Sequence, residues 1–182
     1  MTFEKTVTLK DGRNCLLRNG VTSDGKAVLD VFNRTHEETD YLLTYSDENR
    51  FTASQEADFL QRKTDSANNV EIIAVVDDVV AGTAGIDALG MRDKIKHRAV
   101  FGIAITMEFW GLGIGKYLME ACIECAREAG YLQLELEVVA ENERAVEMYR
   151  RAGFIEYGRN PKGFRLRTGE YQELIDMRLE LK

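Results

Sequence analysis

The sequence is poor in proline and lacks long apolar runs. It has one proline among its 182 residues, and no stretch rich in serine and glycine that would mark a linker. No apolar run is long enough to cross a bilayer, and the first residues lack the hydrophobic core of a signal peptide. These absences predict a single domain over residues 1–182, a cytoplasmic location and no membrane partner.

The three cysteines form neither a disulfide scaffold nor a metal-binding pattern. Cys122 and Cys125 have the spacing of some metal and redox motifs, but no second pair of ligands accompanies them. Both fall on the apolar side of a predicted helix. We therefore expect them to be core residues and expect no bound metal.

Positive charge is also in deficit. The chain has 24 Lys and Arg against 31 Asp and Glu, a formal net charge of −7. Nucleic-acid binding depends on basic side chains that neutralise phosphates, so a nucleic-acid partner is not expected. An acidic chain favours a cationic amine through electrostatic steering, although the same balance also serves simply to keep a protein soluble.

Glycine is concentrated in one loop, Trp110-Gly111-Leu112-Gly113-Ile114-Gly115-Lys116. A strand-like run over 99–105 precedes it, and a helical pattern over 114–129 follows. Glycine lets the backbone approach a ligand closely, and the free amides at a helix N-terminus suit phosphate oxygens. The order strand, glycine loop, helix predicts a phosphate or pyrophosphate site; the alternative is a tight turn without a ligand.

This loop matches neither of the two most familiar glycine motifs. A Walker loop needs glycine five residues before the Gly-Lys pair and Ser or Thr after it, where this chain has Trp110 and Tyr117. The dinucleotide fingerprint needs glycine at the position of Lys116. A nucleotide-binding protein of either type is therefore disfavoured.

A second informative block follows an alternating strand at 132–138. Asn142 is a good helix N-cap residue, and the short helical segment that it begins ends at Gly153. Asn142 and Tyr149 are separated by nearly two helical turns, so both can face the same cleft. Elsewhere the pattern predicts a hairpin around 11–12, a helix from 22 to about 34, a second helix from 52, a meander over 70–105 and closing strands at 154–159 and 171–181.

Together the two blocks resemble the GNAT superfamily of acetyl-CoA-dependent N-acetyltransferases. The glycine loop is similar to that family's loop, and its later block matches Asn142, Ala145, Met148-Tyr149 and Gly153-Phe154. The family's loop usually opens with Arg or Gln where this chain has Trp110. The resemblance implies a mixed α/β fold: a mostly antiparallel, twisted sheet, splayed at its middle strands and flanked by helices on both faces.

The resemblance also implies direct transfer of acetyl from acetyl-CoA to a primary amine of a small molecule or a protein. Loop amides would hold the pyrophosphate, the backbone of strand 103–105 would pair with the pantetheine arm, and the Ile105 amide would bond the thioester oxygen. Tyr149 would protonate the leaving thiolate; its alternative role is packing the helix on the sheet. The expected cofactor-binding residues are Ile103, Ile105, Gly111, Leu112, Gly113, Ile114, Gly115, Lys116, Asn142 and Tyr149.

The base that accepts the amine proton is not identified by the sequence. The family uses the segment after its first helix to shape the acceptor pocket, which implies that role for 36–41. Within this segment Glu38 is the candidate catalytic carboxylate, and Glu38 and Asp40 would bind a cationic acceptor; a solvated loop is the alternative. Other candidate bases are His97, Glu135, Glu137 or a chain of waters.

Two further expectations concern function and assembly. A non-catalytic module that binds acyl-CoA on the same fold is the alternative to an acyltransferase. The terminal strand at 171–181 is expected to offer an edge for a homodimer.

Overall fold

The computed structural model describes residues 1–181. The elements along the chain are β1 (Glu4–Thr8), β2 (Asn14–Asn19), α1 (Gly25–Glu38), α2 (Ala53–Asp65), β3 (Val70–Val76), β4 (Val79–Ala88), β5 (Arg98–Ile105), α3 (Ile114–Glu128), β6 (Gln133–Val139), α4 (Glu143–Arg151), β7 (Ile155–Arg165) and β8 (Tyr171–Glu180). Short 3₁₀ turns at Thr22–Asp24, Ser46–Glu48 and Met107–Phe109 precede the first three helices.

The eight strands form one sheet in the order β1-β2-β3-β4-β5-β6-β8-β7. Within the described residues, β5 and β6 are the parallel pair and the other neighbouring pairs are antiparallel. Antiparallel neighbours can be joined by short turns, whereas parallel ones need a crossover, which α3 supplies between β5 and β6. The predicted mixed fold with a mostly antiparallel sheet is confirmed.

The parallel strands separate partway along their length. Arg98–Val100 pair with Gln133–Glu135, and beyond this segment β5 follows β4 while β6 follows β8. The separation opens a cleft in the middle of the sheet and leaves the β5 residues 102–105 partly or fully exposed, although the strand is central. The predicted splay of the middle strands is therefore confirmed.

Helices cover both faces of the sheet. On one face Ile73 packs with Val28 and Val31 of α1 and Leu60 of α2. On the other face lies the larger core, which includes α3, α4 and the alternate β3 side chains. The strand alternation of side chains explains this division, because successive residues point to opposite faces. Cys122 and Cys125 are buried and free, as core residues should be.

Two predictions about element boundaries are wrong. Helix α1 continues to Glu38 instead of ending near Arg34, so His36 lies in its last turn. No glycine or proline stops the helix earlier, and the His36 ring stacks on Phe32 with a centroid distance of 3.8 Å. The terminal strand is also not a sheet edge, because the hairpin β7–β8 places β8 between β6 and β7. The edge that was expected to support a homodimer is therefore covered by β7.

Candidate active site

The glycine loop has two residues with positive φ angles and a row of backbone amides without hydrogen-bond acceptors in the described part of the chain. Gly111 and Gly113 have φ angles of 86° and 98°, a left-handed region that favours glycine. Gly113 is the N-cap of α3 and supplies no capping side chain. Among residues 1–181, the backbone amides from 111 to 116 find no hydrogen-bond acceptor in the protein. Because they lie at the positive end of the α3 dipole, these amides form a candidate anion site.

The third glycine of the loop serves packing. A Cβ atom on Gly115 would lie 3.0 Å from Sδ of Met148 and 3.4 Å from Cδ1 of Ile105. Its absence lets the first turn of α3 approach both β5 and α4. The anion site is thereby brought next to the end of the cleft between β5 and β6.

The hairpin β1–β2 supports the loop from the other side. The Lys10 amide donates to the carbonyl of Leu112 at 3.2 Å, and the Tyr117 hydroxyl donates to the carbonyl of Thr8 at 3.3 Å. The Lys10 side chain runs beside Gly113, where an added Cβ would lie 3.9 Å from Cε of Lys10. The sequence analysis missed this lysine, since nothing local to residue 10 links it to a loop a hundred residues later.

The end of β5 presents its backbone to the cleft. Thr106 donates through its amide to the carbonyl of Ala81 at 3.0 Å, which places the even-numbered residues of β5 in hydrogen-bonded pairs with β4. The N–H and C=O groups of Ile103 and Ile105 consequently point away from β4, toward the cleft. An extended chain lying there would find the edge of a strand to pair with.

Trp110 closes the end of this strand. Its indole N–H donates to the Ile105 carbonyl at 2.7 Å, so the Ile105 amide remains the free group of that residue. The guanidinium of Arg144 lies 5.5 Å from the centre of the Trp110 ring, which links the loop to α4. The tryptophan thus fixes the geometry of the strand end, at the position where the family usually has Arg or Gln.

Helix α4 places Tyr149 near the point where β5 and β6 separate. The Tyr149 ring is edge-on to Phe101, the first β5 residue beyond the paired segment, with a centroid distance of 6.1 Å, and it also contacts Phe154. Its hydroxyl forms no hydrogen bond with any described residue. Burial raises the pKa of Tyr149, so the phenol stays protonated and can donate a proton.

Asn142 caps α4 as the sequence predicts. Its Oδ1 accepts a hydrogen bond from the Ala145 amide at 3.3 Å. The capping contact uses the side-chain oxygen and leaves the side-chain NH₂ free for a ligand. The structure therefore makes the capping and ligand roles of Asn142 compatible.

A cavity of about 790 Å³ lies beside Trp110. Its walls come from the end of α1 and the following residues, the turn after β5, the β6–α4 loop and the β7–β8 turn. The lining residues are Glu38, Thr39, Asp40, Tyr41, Met107, Trp110, Glu141, Leu166, Glu170, Tyr171 and Gln172. Residues 38–41 of the segment 36–41 thus line a cavity, together with seven distant residues of which the sequence singled out only Trp110.

Glu38 is engaged on both carboxylate oxygens. One accepts a hydrogen bond from Arg34 at 2.9 Å, and the other accepts from the Met107 amide at 2.6 Å. These contacts tie α1 to the turn that follows β5. The geometry gives Glu38 a positioning function at the cavity wall; its role as a base stays a prediction.

The other proposed bases are not brought to this cavity. His97 precedes β5 at the opposite end of that strand, roughly 25 Å from Ile105 at about 3.3 Å per residue. Glu135 is buried in a pair with Arg98, whose hydrogen bonds hold the pKa of the carboxyl below its usual range. Glu137 is exposed on β6. These placements leave Glu38 and a chain of waters as the candidate acceptors of the amine proton.

In the part of the chain that the structure describes, no group of three or more His, Cys, Asp and Glu is arranged to hold a metal ion. No helix within residues 1–181 is both long enough and apolar enough to cross a bilayer.

Sequence comparisons connect this geometry to known proteins. Residues 30–154, well over half of the chain, match the profile of the acetyltransferase (GNAT) family. The L-amino acid N-acetyltransferase AaaT of Escherichia coli (strain K12) is 31% identical over 118 residues, covering 64% of this chain and 72% of that protein. Other curated relatives match over stretches that cover from 18% to 64% of their own lengths.

Comparisons with solved structures also find acetyltransferases of this family. The acetyltransferase of the GNAT family from Streptococcus pneumoniae superposes with a TM-score of 0.87 and 27% identity, over 91% of this chain and 99% of that one. The structure of yncA from Salmonella typhimurium with its cofactor acetyl-CoA superposes with a TM-score of 0.82, over 93% and 95% of the two chains. At 16% identity, this second likeness shows the fold alone.

Proposed function

This chain belongs to the acetyltransferase (GNAT) family, and from that premise we propose that it transfers the acetyl group of acetyl-CoA directly to a primary amine. The observation that carries the proposal is the row of unpartnered amides at 111–116 beside a cleft whose β5 edge has free backbone groups. The names of the E. coli relative and of the yncA structure support an N-acetyl transfer and an acetyl-CoA cosubstrate.

The residues of the cleft suit this cosubstrate. The amides of 111–116 bind the pyrophosphate, and the ammonium of Lys10 adds charge beside them. The backbone of Ile103 and Ile105 orients the pantetheine arm. Acetyl-CoA supplies an activated acetyl group as a thioester.

In each step of the transfer, one group of this chain acts on the reactants. The Ile105 amide donates to the thioester oxygen, where negative charge develops during the attack. The Tyr149 hydroxyl donates a proton to the leaving sulfur. The acceptor amine approaches from the cavity beside Trp110 and releases its proton to water.

The first experiment is a calorimetric titration with acetyl-CoA, with NAD and ATP as controls. We expect one saturable acetyl-CoA site that weakens at least tenfold in Gly113→Val. The matched control is Gly130→Val, because Gly130 also has a positive φ, of 80°, but lies at the other end of α3. If only the Gly113 variant loses affinity, the loss comes from damage to the candidate anion site. Backbone strain at a positive φ would affect both variants.

Two other outcomes would change the conclusion. Absence of binding at millimolar acetyl-CoA would contradict the proposal and reduce the loop to a structural turn. Binding without release of free thiol in the presence of any primary amine would favour the alternative, a non-catalytic module that binds acyl-CoA.

A further inference from the structure

The lining of the cavity beside Trp110 carries charge of one sign. Its charged lining residues are four carboxylates, and no lysine or arginine stands among them. Glu38 is compensated by Arg34. By contrast, Asp40, Glu141 and Glu170 form no salt bridge with any residue in 1–181. Acetyl transfer to an amine does not itself require this concentration of negative charge.

The aromatic side chains of the cavity are also suited to cations. Tyr41, Trp110 and Tyr171 supply three rings to its wall. Two of these rings already attract cations within the protein: Arg144 lies over Trp110, and Lys162 lies 5.0 Å from the centre of the Tyr171 ring. A ligand ammonium in the cavity would therefore meet both carboxylates and aromatic faces.

Gln172 gives an independent indication of a ligand. Its side chain is only 8% exposed and lines the cavity, and its Oε1 accepts no hydrogen bond from the described residues. A buried acceptor without a donor costs free energy, which the Gln172 side chain would recover by turning toward an N–H group of a ligand in the cavity. The carboxylates, the aromatic rings and this amide oxygen are all suited to bind the same kind of group, a positively charged N–H donor.

The distribution of these groups distinguishes two ends of the cavity. One end, at Met107 and Trp110, adjoins the Ile105 amide where transfer takes place. The carboxylate of Glu170 and the side chain of Gln172 come from the β7–β8 turn and the start of β8, on another wall. A volume of about 790 Å³ exceeds what a short monoamine fills.

We propose that the acceptor carries at least two ammonium groups, as a linear diamine or polyamine does, and that the unpaired carboxylates of the cavity, Glu170 first among them, hold the end that is not acetylated. This inference rests on the proposed N-acetyl transfer and names its substrate class. At the reacting end the neutral nitrogen forms the bond to the acetyl carbon, and the carbon–sulfur bond breaks. The electron pair leaves on sulfur, which Tyr149 protonates, and the nitrogen loses its extra proton to water.

The test compares three acceptors that each contain five carbon atoms and differ at the far end. 1,5-Diaminopentane has a second ammonium, n-pentylamine a methyl group, and 5-aminopentanoate a carboxylate. Thiol release from acetyl-CoA should give a kcat/KM for the diamine at least tenfold above that of pentylamine, with aminopentanoate the poorest. Calorimetry with the CoA-bound enzyme should show the same order of affinity without any turnover.

A pair of variants tests the assigned carboxylates. Glu170→Gln should bring the diamine-to-pentylamine ratio of kcat/KM down by about tenfold. Glu124→Gln, which makes the same change of charge on an exposed residue of α3, should leave the ratio unchanged. Equal kcat/KM for the diamine and pentylamine would overturn this inference and leave the acetyl transfer standing. Acetylation of none of the three amines would overturn the assigned acceptor class, and absence of acetyl-CoA binding as well would overturn the proposed function itself.

Discussion

Tyr149 combines a buried ring with an unpartnered hydroxyl. The ring is held by Phe101 and Phe154, while the oxygen bonds to none of the described residues. The packing alone would be served equally well by phenylalanine. Packing therefore explains the ring but not the hydroxyl, which is the candidate catalytic group of this side chain.

We expect Tyr149→Phe to lower kcat by about 10²-fold or more, because a positioned general acid contributes on that scale. The affinity for acetyl-CoA should stay within a few fold, and the stability should hardly change, since no protein hydrogen bond is lost. Tyr131→Phe is the matched control. The Tyr131 hydroxyl donates to the Asn68 carbonyl at 3.0 Å, so its loss should cost stability and leave turnover intact. Unchanged turnover in Tyr149→Phe would remove this phenol from the mechanism.

At the scale of elements, the packing of α1 against α2 positions the end of α1, which forms part of the cavity wall. The two helices are in tight contact at Gly25, where an added Cβ would lie 2.7 Å from the Ala53 carbonyl oxygen and 2.7 Å from the Ala57 amide nitrogen. Both neighbouring atoms belong to the backbone of α2, which cannot move aside as a flexible side chain could. Helix α1 then runs on to Glu38 at the cavity.

Gly25→Ala should consequently reduce the free energy of unfolding by ~1–3 kcal/mol, the usual cost of forcing extra volume into a packed contact. Gly102→Ala provides the comparison, because a Cβ there would meet nothing within 4 Å. Urea unfolding of both variants measures the difference. Equal midpoints for the two variants would show that α1 and α2 can separate without cost.

At the scale of the whole molecule, one partly buried carboxylate links global stability to pH. The Glu71 carboxylate of β3 lies over Gly85 of β4, beneath α2. Burial raises the pKa of Glu71 to about 7; Lys63 opposes this rise, whereas Asp87 and Glu56 add to it. The folded state thus holds the Glu71 proton more tightly than the unfolded chain does.

The sign of the pH dependence follows from this difference. Between about pH 4.5 and pH 7 the folded state binds more protons at Glu71, so stability from this group falls as the pH rises. Glu71→Gln keeps the site neutral, and its stability relative to the wild type should therefore improve by at most ~3 kcal/mol from pH 4.5 to pH 8. Urea unfolding across this range, with Glu124→Gln as control, provides the measurement. A difference that stays constant with pH would contradict the assignment.

Sequence reasoning succeeded where the signal is local. The strand, glycine loop and helix at 99–129 are neighbours in the chain, and their backbone chemistry follows from glycine and from the free amides of a helix start. The N-cap of α4 at Asn142 is local in the same way. The end of α1 was misplaced, because the residues of its last turn are polar and resemble a loop.

The sequence by itself determined the class of fold, the position of the glycine loop at the start of α3 and the burial of Cys122 and Cys125. Each of these depends on hydrophobic periodicity or on residues close together in the chain. Only the tertiary structure decided which residues share the cavity beside Trp110. The strand order β6-β8-β7 brings Glu170 and Gln172 beside Glu38, and the length of β5 carries His97 away from it. Sheet order brings together parts of the chain that are far apart in sequence, and no local pattern records it.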